Sequence, residues 1–223
     1  MINSFTKIKH PTYTRGMWGI ANKEEGGFFY GVSKTRFMFN HLRRLAAARP
    51  INTICELGFN AGHSAALLLD AVPGAKLLEF DLGDHLWALD NAQFFQEAYG
   101  SRFVFIKGDS AVTIPSVVAN SSSKCDVIFV DGAKGEKMRR QDVLNFMQLA
   151  HKETYVFGDE ANTVECMSGQ VGREHPKCLE GPNGDTAFAW NALVREGTLQ
   201  LIDCSRPVRD ADLVCLWQYK SIR

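Results

Sequence analysis

Glu56-Leu-Gly58-Phe-Asn60-Ala-Gly62-His63-Ser64 follows the β-rich run Ile51-Asn-Thr-Ile-Cys-Glu-Leu57 and leads into an apolar stretch from Ser64 to Val72. The glycines permit a sharp turn and a close backbone approach, and a helix opening at Ser64 presents free N–H groups to an anionic ligand. The two glycines stand four residues apart, which is not the Gly-x-Gly-x-x-Gly spacing of the pyrophosphate fingerprint. The unit reads as strand, turn and helix, the opening move of an α/β sheet.

The same rhythm continues outward from this unit. Lys76-Leu-Leu-Glu-Phe-Asp81 reads as a second strand with a helix from Asp84 to Tyr99, and Arg102-Phe-Val-Phe-Ile-Lys107 as a third. Cys125-Asp-Val-Ile-Phe-Val-Asp131 is an apolar run of the kind buried on both faces. A helix over 136–151 and the strand Glu153-Thr-Tyr-Val-Phe157 follow. After a helix over 185–195, Thr198–Asp203 and Leu213–Tyr219 form two strands joined by a loop containing Pro207, too short for a helical crossover and therefore antiparallel. The fold class is α/β: a Rossmann-like, doubly wound, mostly parallel seven-stranded sheet with an antiparallel C-terminal strand.

Residues 51–223 make the main domain, and residues 1–50 form an aromatic-rich helical extension. The extension holds Phe5, Tyr13, Trp18, Phe28, Phe29, Tyr30, Phe37 and Phe39, and Ser33 stands where it could cap a helix carrying Met38, Leu42 and Leu45. Trp18, Phe28, Phe29 and Tyr30 fit a pocket wall and ordinary packing equally well. The polar stretch Glu160–Gly184 is long for a structureless loop and reads as a lid.

The 223 residues carry 25 basic and 25 acidic side chains, so no net positive field draws in nucleic acid or acidic membranes. Lys137, Arg139 and Arg140 read as a solvated helix face. No apolar stretch reaches the roughly 18 residues of a membrane span, and Met1–His10 has no apolar signal core. The six cysteines are dispersed, with Cys55 and Cys125 in buried strands where a thiol behaves as a small hydrophobe. They predict reduced thiols in a cytoplasmic protein. Cys166, His175 and Cys178 share the long loop, but their spacing makes a poor zinc site.

Acidic or small polar residues end successive strands: Glu56, Asp81, Gly108-Asp109-Ser110, Val130-Asp131. Ligands bind at that edge of open α/β sheets, although each residue alone also suits a turn or a helix cap. Asp81 lies 25 residues after Glu56, a spacing suited to accepting hydrogen bonds from ribose hydroxyls.

This series resembles the class I S-adenosylmethionine-dependent methyltransferases from about residue 51 to the C-terminus. The resemblance implies that Glu56, Gly58 and Ser64 hold the methionine end of the cofactor. It assigns the ribose to Asp81 and the adenine to Asp109 and Ser110, with Asn60, Gly62, His63, His85 and Asp131 beside them. Asp131-Gly-Ala-Lys134 after strand four and Gly158-Asp159-Glu160-Ala-Asn162 after strand five are similar to the metal-dependent O-methyltransferases of the catechol and caffeoyl-coenzyme A type. That likeness implies Mg2+ or another divalent cation on Asp131, Asp159 and Glu160, and Lys134 acting on the acceptor hydroxyl. Glu160 departs from the pattern, which has Asn there.

The expected activity is methyl transfer to a small-molecule acceptor, at a hydroxyl oxygen, with Lys134 and Asp131 catalytic. The rivals are a metal-independent N- or carboxyl-methyltransferase and a catalytically silent S-adenosylmethionine-binding subunit. A homodimer is open, because an aromatic arm packs as readily on a second subunit as on its own sheet.

Overall fold

The computed structural model describes residues 33–172, 174–179, 184–206 and 213–222. Trp18, Phe28, Phe29 and Tyr30 lie outside the described residues, and with them the larger part of the expected extension.

The chain runs α1 (Ser33–Ala48), β1 (Thr53–Leu57), α2 (His63–Ala71), β2 (Lys76–Asp81), α3 (Ala88–Tyr99), β3 (Phe103–Lys107) and α4 (Ser110–Asn120). It continues with β4 (Cys125–Val130), α5 (Glu136–Met147), β5 (Ala150–Ala161), α6 (Val164–Met167), α7 (Pro176–Leu179), α8 (Gly184–Arg195), β6 (Leu199–Cys204) and β7 (Leu213–Tyr219). The strands form one sheet in the order β3-β2-β1-β4-β5-β7-β6. β1 to β5 pair in parallel, and β7 runs antiparallel between β5 and β6. The expected seven-stranded, mostly parallel sheet is what the chain builds.

β1 and β4 are central, and side chains alternate to two apolar layers. Cys55, Leu57, Leu78, Phe80, Ile128 and Val130 enter one layer, closed by Val143 and Phe146 of α5 and by Trp190 of α8. Ile54, Leu77, Val127 and Phe129 enter the other, under α2 and under Met38 and Leu42 of α1. Trp190 and Trp217 stack at 4.4 Å between centroids, joining α8 to β7.

Four expectations need correction. All six cysteines are paired, as Cys55–Cys125, Cys166–Cys178 and Cys204–Cys215. A buried strand position suits a half-cystine as well as a thiol, and only the tertiary partner decides between them. The second pair also removes the thiols of Cys166 and Cys178 from any zinc site. The long segment after β5 is not a plain lid: Cys166, Met167 and Cys178 are fully buried, and Asn191 of α8 donates to the Cys166 carbonyl at 2.7 Å. Arg139 is not solvated but fully buried. Ser33 begins α1, yet its hydroxyl donates to the Arg206 carbonyl instead of accepting from its own helix.

Candidate active site

The turn after β1 sets the geometry. Gly58 has φ +108°, and a Cβ there would stand 2.3 Å from the Asp131 carbonyl oxygen, so only glycine allows β1 and β4 to close at their tips. Gly62, at φ +87°, begins α2, and a Cβ there would meet the Phe59 and Phe95 rings at 2.8 Å. The bare backbone of both glycines is used against the protein itself.

Asp81 ties this turn to the next strand. One carboxylate oxygen accepts from the N–H groups of Phe59 at 2.8 Å and Asn60 at 3.3 Å, and the other from Gly83 at 2.6 Å. The Asn60 side-chain oxygen accepts from the Trp87 indole at 2.8 Å, and the Trp87 ring stacks on His85. Asp109 caps α4 through the Ala111 N–H, and the Ser110 hydroxyl donates to Asp142 at 2.6 Å.

Of these groups, Gly58, Asn60, Asp81, His85, Asp109 and Ser110 line a cavity of about 680 Å³ along the C-terminal ends of β1 to β5. Because the lateral order is β3-β2-β1-β4-β5, its wall runs from Asp109 and Ser110, past Asp81 and His85, over Gly58 and Asn60, to Asp131 and Lys134, and ends at Asp159 and Glu160. Volume and lining suit a small-molecule ligand. The rest of the predicted set lies behind that wall. Gly62 starts α2, His63 and Glu56 are buried, and Ser64 sits in the first turn of α2.

Burial sets the protonation of this hidden layer. Glu56 and Glu79 face each other in register on β1 and β2, both fully buried. Loss of water raises Glu56 to about 7, with nearby Glu79 and Ser64 acting against it, and raises Glu79 well above its ordinary value, with Glu56 as its like-charged neighbour adding to the shift. The pair therefore holds on to a proton more readily than two exposed carboxylates would. Burial lowers His63 to about 4, leaving a neutral imidazole in the core.

At the other end the acids meet cations. Lys134 pairs with Asp131 at 3.2 Å and also with Glu160. Arg139 donates to Glu160 at 2.7 Å and to the Val130 carbonyl at 2.5 Å, with its guanidinium over the Trp190 ring. Lys34, from the first turn of α1, reaches Asp159 at 2.6 Å. Desolvation raises Asp131 to about 7, helped by Asp159 and opposed by Lys134 and Arg139. For Lys134 desolvation acts downward, but Asp131 and Glu160 outweigh it and hold the ammonium above its ordinary value. Sequence reasoning missed Lys34 and Arg139, and Lys34 carries no local signal because its partner lies 125 residues away.

The expected cation ligands do not fit a divalent ion. Asp131, Asp159 and Glu160 are each already paired with an ammonium or guanidinium group. Among the described residues, no three His, Cys, Asp or Glu side chains converge as a metal site.

The strand-end cavity does fit a nucleoside-bearing sulfonium cofactor. An acidic rim residue stands at the end of β2, a flat aromatic surface lies beside it, and small polar groups follow β3. Comparison with known proteins agrees with that reading. Residues 55–161 match the family described as a methyltransferase domain. A comparison with curated proteins finds no match.

Among solved structures, the O-methyltransferase TomG of Streptomyces achromogenes, involved in tomaymycin synthesis and in complex with S-adenosylmethionine, superposes with a TM-score of 0.65 at 16% identity, over 98% of this chain and 95% of that one. An O-methyltransferase from Bacillus cereus in complex with S-adenosylhomocysteine gives 0.64 at 14% identity, over 95% and 92%. An S-adenosylhomocysteine-bound methyltransferase from Podospora anserina gives 0.61 at 15% identity, over 99% and 89%. Residues 55–161 thus match a methyltransferase domain, and the chain has the class I methyltransferase fold that these S-adenosylmethionine- and S-adenosylhomocysteine-bound structures share.

Proposed function

We propose that the protein transfers a methyl group from S-adenosylmethionine to a hydroxyl oxygen of a small-molecule acceptor bound beside Asp131 and Lys134. The observation that carries this is one cavity in which strand-end groups of β1 to β3 adjoin a carboxylate–ammonium pair at the tips of β4 and β5.

Asp81, His85, Asp109 and Ser110 would hold the nucleoside, with Gly58 and Asn60 shaping the floor. When bound, the sulfonium supplies a methyl group already activated for displacement. The chain's own task is to align the acceptor in line and to remove its proton. Asp131, raised to about 7, is suited to take that proton at neutral pH. Lys134 stays protonated, so it stabilises the developing oxyanion as a donor and does not act as the base. Glu56, His63 and Ser64 support the turn from behind. The expected divalent cation forms no part of this reading, because its ligands are committed to Lys34, Lys134 and Arg139.

Three disulfides favour a compartment where thiols oxidise over the cytoplasm. Among the described residues, no helix is long and apolar enough to cross a membrane.

Calorimetric titration with S-adenosylmethionine, with NAD as control, tests the assignment. One-to-one binding that Asp81→Ala removes, followed by transfer of labelled methyl to phenols, is the expected result. Absence of saturable binding would overturn it.

A further inference from the structure

Among the described residues, three carboxylates and three cationic groups meet at the tips of β4 and β5. Asp159 pairs with Lys34, Asp131 with Lys134, and Glu160 with both Lys134 and Arg139. Formal charge cancels among these six described groups, so a divalent cation would have to expel two ammonium groups from their carboxylates. Arg139 is fully buried between Glu160, the Val130 carbonyl and the Trp190 ring, and it cannot swing aside. Glu160 adopts φ +59°, a left-handed backbone where Asn is more at ease than Glu. The backbone thus keeps the Asn-like conformation while the longer acidic side chain turns to Arg139 and Lys134. Lys34 comes from α1, outside the matched methyltransferase domain of residues 55–161. Its side chain is 19% exposed, as is that of Asp159, and both line the cavity.

We propose that Lys34, together with Lys134, stands in place of a divalent cation, so that the acceptor oxygen is held by two ammonium groups and transfer needs no metal. The inference rests on the methyl-transfer reading of the same cavity. It also narrows the acceptor. A cation that grips its substrate by chelation asks for two adjacent oxygens, whereas ammonium donors can hold one ionised hydroxyl. The acceptor class is therefore a phenol or similarly acidic hydroxyl without a required vicinal partner. In the transfer the hydroxyl oxygen forms the new bond to carbon as the sulfonium–carbon bond breaks. The electron pair of that bond stays on sulfur, giving S-adenosylhomocysteine, and the hydroxyl proton goes to Asp131.

The test uses the full chain and Mn2+ as the metal probe. The wild-type protein should show no stoichiometric Mn2+ binding by calorimetry, and exhaustive chelation with EDTA should change its methyl-transfer rate by less than about twofold. Lys34→Ala should lower kcat/KM for the acceptor by about tenfold or more while S-adenosylmethionine affinity is retained. The same variant should gain Mn2+ binding that a second change, Asp159→Asn, removes. A merely structural lysine would not create that gain. One Mn2+ bound by the wild type and lost in Asp159→Asn would overturn the proposal, as would loss of transfer on chelation or a folded Lys34→Ala that gains no Mn2+ site. The wild-type measurements decide even if the variant does not fold. Failure of S-adenosylmethionine itself to bind would instead strike the methyl-transfer reading, while the Mn2+ titrations still judge the charge argument.

Discussion

At the scale of single residues, two positions carry sharp expectations. Gly58→Ala would force a Cβ against the Asp131 carbonyl at φ +108°, and should cost at least about 2 kcal/mol, measured by urea unfolding. Glu79 supplies a pH test. Its folded pKa lies above the unfolded value, so the native state binds more protons than the unfolded chain above about pH 4.5. Stability from this pair is full below that value and falls as pH rises through the raised pKa values. Glu79→Gln removes the charge conflict, and thermal melts should show it matching the wild type below about pH 4.5 and gaining on it as pH rises above that. A parallel loss of stability at every pH would refute the shared proton. The sequence displays Asp81, Asp131 and Asp159 plainly, because strand-end acids in succession form a pattern. It does not display Arg139, which looks like one of three basic residues on a helix face until its partners Glu160, Val130 and Trp190 are known.

At the scale of elements, the strands are legible because each is a short apolar run bounded by polar turns, and all seven appear where those runs lie. α4 is not legible. Val112, Val117 and Val118 favour extended structure, and Pro115 lies inside the helix, where it lacks a donor N–H. The helix forms because Asp109 caps it and Ile114 is buried beneath it. Pro115→Ala should therefore raise stability by about 1 kcal/mol, the restored helical bond outweighing the greater freedom of the unfolded chain. An unchanged or lowered urea midpoint would show that Pro115 is needed for packing. The segment after β5 escapes prediction for another reason. Its short helices α6 and α7 have too few residues for a periodic signal, and the Cys166–Cys178 link and Asn191 hold them in place.

At the scale of the whole molecule, the three disulfides decide how the chain behaves outside a reducing compartment. Under denaturing conditions without reductant, thiol titration should find no free cysteine, and six after reduction. Free thiols in the unreduced protein would restore the expectation of a reduced chain. Reduction should also lower the unfolding temperature, and the Cys55–Cys125 bridge, with a sequence separation of 70, dominates through its long closed loop, about 4 kcal/mol in the chain-entropy account. Charge neutrality and the α/β alternation were readable from composition and pattern alone. Cysteine pairing was not, because it depends on which strands become neighbours, and the β1–β4 adjacency crosses two intervening strands.

The same bridge has a practical corollary for handling the protein. Gly58, Asp81 and Asp109 all fall between Cys55 and Cys125, so the cavity-lining turns of β1, β2 and β3 belong to one covalent macrocycle. A protease cut in any of those turns would open the ring without releasing a piece. The nicked protein would migrate as an intact chain on a non-reducing gel and split into two bands only after dithiothreitol.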